Sequence, residues 1–306
     1  MTSGSAGLRI GTRRSALAMA QATSVRDTLT ALGHACEIVP MSTRGDSGAP
    51  IEAGSAGLKG LFVDEIVNAL IRGDIDVAVH SAKDLPAFDV EGAVVAAVPS
   101  RADAHDVLVT REPSLVSYAH VGTSSLRRRA QFRRSRPELE IVELRGNVDS
   151  RLKKLEAGDV DGLLLAAAGL SRLGLQPTNV ETIEFTEMLP APAQGFLALQ
   201  TRISGSAHDT VVALDDPYAH RAWETERYLV RLLGADCALP VGAHAITQNA
   251  SLSLVAAVFS LDGATRLITH RVGAAPADVA RAAAEDLLAQ GAGDVLAPYL
   301  TQAEAS

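Results

Sequence analysis

The chain carries one strand–helix pattern twice, and this repetition constrains its fold more than any other feature. Near the start, Arg9-Ile10-Gly11-Thr12 closes a short strand and leads into Ser15-Ala16-Leu17-Ala18-Met19-Ala20-Gln21, a good helix former. Further on, His120-Val121-Gly122-Thr123 leads in the same way into Ser124-Ser125-Leu126-Arg127-Arg128-Arg129-Ala130-Gln131. Ser42-Thr43-Arg44-Gly45-Asp46 has a counterpart in Glu143-Leu144-Arg145-Gly146-Asn147, and Gly73-Asp74-Ile75-Asp76 in Gly158-Asp159-Val160-Asp161. The three matches fall in the same order with shrinking separation. A shorter second copy of one unit produces that pattern, so two related lobes are expected.

Strands that alternate with helices imply mainly parallel sheets, whose ligands sit beyond the carboxyl ends of the strands. Both Gly-Thr turns fall at such ends and open helices, where unpaired backbone N–H groups and the helix dipole favour an anion. A chain of 306 residues exceeds one ordinary core. With 47% hydrophobic and only 4% aromatic residues, it suits buried aliphatic strands and Ala-rich helices better than an aromatic-cored sandwich. After Asp215-Asp216-Pro217 the pattern changes. A helix over 220–233, stopped by Gly234, precedes alternating strands at 241–247, 252–260 and 265–272, with a hairpin turn at Asp262-Gly263. A closing helix over 277–290 follows Pro276 and ends at Gly291. This C-terminal stretch reads as a separate α+β domain.

The net charge of -8 argues against a nucleic-acid partner, which needs a positive field. Charge is uneven, however, with six arginines between Arg127 and Arg136. A local basic patch on an acidic body suits a small anionic ligand. Two cysteines, Cys36 and Cys237, are too few for a disulfide framework and fit a reducing compartment. Residues 1–11 lack the basic start and apolar run of a secretory leader, and no apolar stretch reaches the roughly 20 residues that span a bilayer. A cytoplasmic location without membrane attachment is expected. No His–Cys spacing suggests a metal site, and Gly57-Leu58-Lys59-Gly60 is not a nucleotide phosphate loop.

Chemistry-bearing residues gather at expected strand ends. Ile75-Asp76-Val77-Ala78-Val79 reads as a buried strand that ends in His80-Ser81-Ala82-Lys83-Asp84-Leu85-Pro86. Asp84 beside Lys83 is either a structural ion pair or helix cap, or a carboxylate that stabilises a cationic intermediate. His80 reads as a satisfied histidine at the edge of the core. Arg127 and Arg128 fall in the first turn of a helix, where cations oppose the dipole and an anionic ligand would reverse the penalty. Arg13, Arg145 and Arg151 also follow strand ends, and arginine binds carboxylates bidentately. Arg129, Arg133, Arg134 and Arg136 read as a solvated face. Cys237, in Gly234-Ala235-Asp236-Cys237-Ala238-Leu239-Pro240-Val241-Gly242, reads locally as a small buried hydrophobe.

Taken together, several segments resemble the porphobilinogen deaminase (hydroxymethylbilane synthase) family. They are Ile10-Gly11-Thr12-Arg13, Thr43-Arg44-Gly45-Asp46, Lys59-Gly60-Leu61-Phe62, Val79-His80-Ser81-Ala82-Lys83-Asp84-Leu85-Pro86, Val121-Gly122-Thr123-Ser124-Ser125-Leu126-Arg127-Arg128, Leu144-Arg145-Gly146-Asn147, Leu189-Pro190-Ala191-Pro192-Ala193-Gln194-Gly195 and Cys237-Ala238-Leu239-Pro240-Val241-Gly242. The resemblance implies an α/β fold with two similar lobes of periplasmic-binding-protein-like (type II) topology. It adds a smaller C-terminal α+β domain with a three-stranded antiparallel sheet. The implied domains are 1–99 with 196–216, then 100–195, then 217–306.

The resemblance also implies a transferase that joins four porphobilinogen molecules head to tail, with release of ammonia, to hydroxymethylbilane in heme biosynthesis. The primer would be a dipyrromethane cofactor bound through a thioether to Cys237. Asp84 matches the catalytic carboxylate, which helps ammonia leave and stabilises positive pyrrole nitrogens. Lys83, Ser81, Thr123, Ser125, Arg127 and Arg128 match cofactor-binding positions. Arg13, Ser15, Phe62, Arg145, Arg151, Arg172 and Gln194 match substrate-binding ones. Each pyrrole brings two carboxylates, so a confined chain of them requires several fixed arginines. The expected enzyme is monomeric. Asp236 stands where the family usually has glycine, Ser55 where some members have lysine, Gln200 where glutamate is common, and Ala104-His105 where Pro-Arg is frequent. The competing reading is a non-catalytic two-lobed dicarboxylate-binding or sensor protein, which has no use for Asp84 or Cys237.

Overall fold

The two copies of the sequence pattern become two five-stranded sheets of one topology in the computed structural model, which describes residues 7–42, 60–234 and 239–304. The first sheet contains β1 (Leu8–Arg13), β2 (Cys36–Met41), β3 (Val77–Ser81), β4 (Ala93–Ala97) and a strand from much later in the chain, β10 (Leu197–Arg202). The second contains β5 (Asp106–Thr110), β6 (His120–Gly122), β7 (Glu140–Val142), β8 (Gly162–Ala166) and β9 (Asn179–Ile183). Their orders are β2-β1-β3-β10-β4 and β7-β6-β8-β5-β9. In each, four strands run in one direction, and the strand fourth in spatial order runs against both of its neighbours. The expected two similar lobes are observed.

The likeness extends to single hydrogen bonds. Gly73 and Gly158 end the helices α2 (Gly60–Arg72) and α4 (Val148–Ala157) with φ of +81° and +82°. Each closes its helix by the same pair of backbone bonds, Gly73 N to Leu70 O with Asp74 N to Ala69 O, and Gly158 N to Leu155 O with Asp159 N to Lys154 O. Three residues beyond each glycine, Asp76 and Asp161 clasp the start of the first parallel strand. Asp76 N donates to Arg9 O while its Oδ2 accepts from Arg9 N at 3.0 Å; Asp161 does the same with His120 at 2.9 Å. Residues 43–46 of the remaining matched pair lie outside the described residues.

Serine N-caps open the helix that follows each Gly-Thr pair; the first pair lies within β1 itself, which runs on to Arg13. Ser15 Oγ accepts from Ala18 N at the head of α1 (Ala16–Ala31), and Ser125 Oγ from Arg128 N at the head of α3 (Leu126–Ser135). On α1, Ala22, Val25 and Leu29 recur at helical spacing and pack on Val77, Val79, Leu197 and Leu199 of the first sheet. Alternate residues of the second sheet face opposite sides, Val107, Val109, Leu163 and Leu165 on one and Leu108 and Leu164 on the other. Both faces are covered, as a mostly parallel sheet requires.

The chain divides into two compact units. The first joins residues up to Arg101 to Phe196–His220, which include α6 (Ser206–Val212); the second joins Ala102–Gly195, which include α5 (Ala167–Leu173), to residues from Arg221 onward. The helix α7 (Pro217–Leu232) crosses the last boundary. The C-terminal sheet is an antiparallel meander of β11 (Val241–Gln248), β12 (Ser251–Phe259) and β13 (Arg266–Gly273), followed by α8 (Pro276–Ala289). One element was not foreseen. Past Gly291, at φ +99°, the chain forms a further helix, α9 (Ala292–Glu304), despite Pro298 within it, because burial of Ala292 and Leu296 holds its first turns.

Within the second unit the meander docks on α3. Phe259 and Ala257 pack against Ala130 and Leu189. Gly263, at φ +77° in the β12–β13 hairpin, lies so near α3 that a Cβ there would stand 2.9 Å from Ala130 O. Gly263→Ala is therefore expected to lower stability by about 1–2 kcal/mol from the left-handed backbone alone, with the contact adding to it. A thermal melt compared with wild type checks this; an unchanged midpoint would show that the hairpin adapts.

Candidate functional site

In the first unit, the residues marked for chemistry collect at the carboxyl end of the central strand. Ser81 is the last residue of β3, and Lys83 and Asp84 follow in a single 3-10 turn, Ala82–Asp84. The turn is closed by Leu85 N donating to Ala82 O and tied to the neighbouring strand by Ala82 N donating to Phe196 O. Ser81, Lys83 and Asp84 are all half-buried. Arg13 ends β1, the parallel neighbour of β3, so it stands at the same edge, with the N-cap Ser15 two residues on. The side chain of Phe62, on α2, lies outside the described residues, as does Cys237.

His80 departs from the expected satisfied histidine. It is 6% exposed, and its Nε2 has no hydrogen-bond partner. Burial pushes its pKa down to about 4, against the opposing effects of a hydrogen bond with Gln200 and the charge of Asp84. The imidazole is neutral at physiological pH.

The second unit holds a buried ionic cluster at the head of α3. Arg127 and Arg128 do not point to solvent from the first turn; they retain 3% and 6% of their surface and converge on Asp106, which is fully buried at the start of β5. Arg127 Nη1 donates to Asp106 Oδ2 at 2.6 Å, and Arg128 Nε and Nη2 donate to Oδ1 at 2.9 and 2.8 Å. Gln194 Nε2 donates to the same Oδ1 at 3.0 Å and to Ala104 O at 2.8 Å. Arg127 Nη1 also donates to Leu189 O at 2.7 Å, and Arg128 Nη1 donates to Leu164 O at 2.9 Å. Burial by itself would raise the pKa of Asp106, but the charges of Arg127 and Arg128, with hydrogen bonds from Arg127 and Gln194, hold it well below the usual carboxylate range. Two guanidiniums face one carboxylate, so the cluster keeps an excess positive charge.

Around this cluster lie further groups singled out in the sequence. Thr123 is buried, and its Oγ1 accepts from Ser125 N at 3.1 Å, shaping the turn before α3. Arg151, on α4, donates from Nη2 to Ser124 Oγ at 3.0 Å in that same turn. Arg172, on α5, donates to Gly195 O, next to Gln194. Burial pushes Arg151 and Arg172 down to about 10, and for Arg151 the charge of Arg128 adds to the effect. Both remain cationic at neutral pH, with uncharged hydrogen-bond partners. Arg145 is not drawn into the cluster. It is exposed beyond β7 and pairs with Glu143 at 2.7 Å.

Of the arginines expected on a solvated face, Arg133 and Arg134 are exposed, while Arg129 and Arg136 are half-buried. Arg136 pairs with Glu181 at 2.6 Å and with Glu187 at 3.0 Å. Arg133 and Arg134 reach carbonyls of the β12–β13 turn at 3.3–3.5 Å. They serve the contact with the C-terminal sheet.

Sequence reasoning missed Asp106, the residue on which the cluster turns. The available signal is a lone carboxylate opening the apolar run Asp106-Val107-Leu108-Val109, a position that demands a cation partner. The donor set fits an anionic group. Arg127 Nε and Arg151 Nε are buried without hydrogen-bond partners, the cluster carries excess charge, and planar guanidiniums suit several carboxylates at once. A cofactor bearing multiple carboxylates could be held here by Arg127, Arg128, Arg151 and the N–H groups at the head of α3.

Comparison with known proteins bears on which group that is. Residues 8–209 match the family model described as "Porphobilinogen deaminase, dipyromethane cofactor binding domain", and residues 221–289 match "Porphobilinogen deaminase, C-terminal domain". The porphobilinogen deaminase of Syntrophobacter fumaroxidans is 40% identical over 299 residues, covering 94% of this chain and 96% of that protein. That of Acidothermus cellulolyticus is 42% identical over 300 residues, covering 94% and 91%. That of Mycobacterium ulcerans is 43% identical over 281 residues, covering 87% and 88%. Among solved structures, the periplasmic aliphatic sulphonate binding protein SsuA of Escherichia coli aligns with 74% of this chain and 70% of its own, at 16% identity and a TM-score of 0.40.

Proposed function

The chain belongs to the porphobilinogen deaminase family, and from that premise we propose how its own residues carry out the head-to-tail joining of four porphobilinogen molecules with release of ammonia. The observation that carries the proposal is that the matched cofactor-binding region, residues 8–209, contains both Asp84 at a strand end and the buried arginine cluster. The family is enzymatic, which sets aside the non-catalytic dicarboxylate binder or sensor.

Asp84 is the catalytic carboxylate. Half-buried in a turn with fixed backbone bonds, it sits where water screens it incompletely, so its charge acts strongly on a cation developing nearby. It assists departure of ammonia by sharing a proton with the leaving nitrogen, then stabilises the positive charge left on the pyrrole. Lys83 and Ser81 flank it as binding groups for the cofactor. Cys237 would hold the dipyrromethane cofactor through a thioether, and the group would supply the chain end to which substrate is added. Arg127 and Arg128, held rigid by Asp106, give the cofactor carboxylates a positive wall that costs little reorganisation, with Thr123 and Ser125 shaping the adjacent turn. Arg13, Ser15, Phe62, Arg145, Arg151 and Arg172 bind substrate acetate and propionate groups. Gln194, buried against Asp106, acts on substrate through the arginines it helps to position.

The division into domains 1–99 with 196–216, 100–195 and 217–306 is part of the proposal, supported by the separate sheets. So are a cytoplasmic location and a monomeric state. No described helix is long and apolar enough to cross a membrane.

Intact-mass measurement tests the cofactor assignment. The active protein is expected to exceed its sequence mass by two linked pyrroles, and Cys237→Ser is expected to lose that excess together with activity. Active protein with an unmodified Cys237 would overturn the assignment.

A further inference from the structure

A half-buried stack of three rings lies beside the arginine cluster and has no part in the scheme above. The His105 imidazole lies flat on the Phe185 ring, with centroids 3.9 Å apart and planes 3° from parallel. The Phe185 ring meets the His244 imidazole at 4.2 Å and 37°. One phenyl face cannot hold two imidazoles at those distances, so the histidines take opposite faces. Each ring comes from a different part of the second unit. His105 directly precedes β5, Phe185 follows β9, and His244 lies on β11 of the C-terminal sheet.

His105 is also held along its backbone. Its N–H donates to Asp103 Oδ1 at 2.9 Å, its carbonyl accepts from Ala167 N at 3.0 Å, and its ring Nδ1 meets the same Asp103 oxygen at 2.6 Å. Ala167 opens α5, the helix that carries Arg172. The residue after His105 is Asp106, on which Arg127 and Arg128 converge. Gln194 Nε2 spans from Asp106 to Ala104 O, on the other side of His105. A displaced His105 would therefore shift the anchor of the buried arginines and the head of the Arg172 helix together, because covalent bonds and hydrogen bonds join it to both.

We propose that His105 and Phe185 are positioning residues for the reaction. The stack seats the strand start that carries Asp106, and the head of the helix that carries Arg172, against the C-terminal sheet, so that the arginines meet carboxylates in a fixed geometry. The proposal rests on the assignment of these arginines to cofactor and substrate carboxylates. What the stack supplies beyond burial is orientation. Flat rings in contact fix both distance and tilt, whereas an aliphatic side chain of similar bulk fills the space and leaves the tilt open. Asp103 adds the remaining constraint, since a single oxygen meets both the backbone N–H and the ring nitrogen of His105. Loss of the planar contact weakens binding and spares the chemical step. Asp84 stands in the first unit, in a turn whose backbone bonds do not involve the stack.

The test compares holoproteins of wild type, Phe185→Leu, Phe185→Tyr, His105→Leu and His105→Arg, with a thermal melt beside steady-state turnover of porphobilinogen. Each leucine variant is expected to raise KM about tenfold while kcat stays within a factor of about two. Phe185→Tyr keeps the ring, and His105→Arg keeps a planar group that can pair with Asp103 and stack on Phe185. Both are expected to hold KM within about threefold of wild type. The double variant Phe185→Leu/His105→Leu should exceed the worse single one by no more than about twofold, since both changes remove the same contact. Should a leucine variant fail to fold, His244→Leu strips the stack from the side of the C-terminal sheet and carries the same expectation. Lower melting points with an unchanged KM would reduce the stack to packing and overturn the proposal. So would a KM that the tyrosine and arginine variants fail to preserve, or single effects that multiply in the double variant. Absent turnover in the wild-type holoprotein would mark failure of the functional assignment before any variant is compared, and the proposal falls with it.

Discussion

Asp84→Asn is expected to lower kcat by about three orders of magnitude, within the range that a positioned acid–base group contributes, while the protein stays folded. The exchange keeps size and polarity but removes both the negative charge and the capacity to give up or accept a proton. The fold should tolerate it, because the turn that carries Asp84 is tied by backbone bonds, Leu85 N to Ala82 O and Ala82 N to Phe196 O. Its anchoring apolar neighbours, Val77, Val79 and Ala82, are buried and unaffected. Turnover measured beside a thermal melt separates the two effects. A variant that keeps a tenth or more of wild-type kcat would remove Asp84 from the reaction. One that melts far below wild type would return it to the structural ion pair or cap that the sequence also allowed.

The second large effect falls on stability. Asp106→Ala leaves the guanidiniums of Arg127 and Arg128 side by side in a buried place, with no carboxylate between them. Removing one partner of a buried ionic cluster typically costs about 3–5 kcal/mol, because the remaining charges are neither solvated nor paired. Gln194 Nε2 loses an acceptor in the same change. Chemical denaturation should therefore show a stability loss of that order, and Asp106→Asn, which keeps shape but not charge, should behave more like Asp106→Ala than like wild type. Equal stability of Asp106→Asn and wild type would show that shape, and not charge, holds the cluster. The sign with pH follows from the direction of the shift. Asp106 has a lower pKa folded than unfolded, so its contribution is complete above the ordinary carboxylate value of about 4 and is lost as pH falls below it.

Several local features were legible in advance. The helices that follow the two Gly-Thr pairs, the paired glycines at 73 and 158, and the Asp262-Gly263 hairpin stand where periodicity and turn chemistry put them. Each depends on residues a few positions apart, so each is written in a short window of sequence. The C-terminal meander was readable for the same reason, since alternating burial needs only the strand itself. The helix α9 was not, because its support comes from burial against the sheet while its own Pro298 argues against it.

By itself, then, the sequence determined the repeated architecture, the strand ends where chemistry gathers, and the set of groups suited to binding carboxylates. Only the tertiary structure decided which of those groups are exposed and which are paired. Arg127 meets Asp106 across 21 residues, and Gln194 meets it across 88. His80 becomes neutral because the fold buries it almost completely, and that burial outweighs the opposing charge of Asp84. Charge state and side-chain direction depend on what the chain brings near from far away, and on how completely water is excluded there. No local window contains that information.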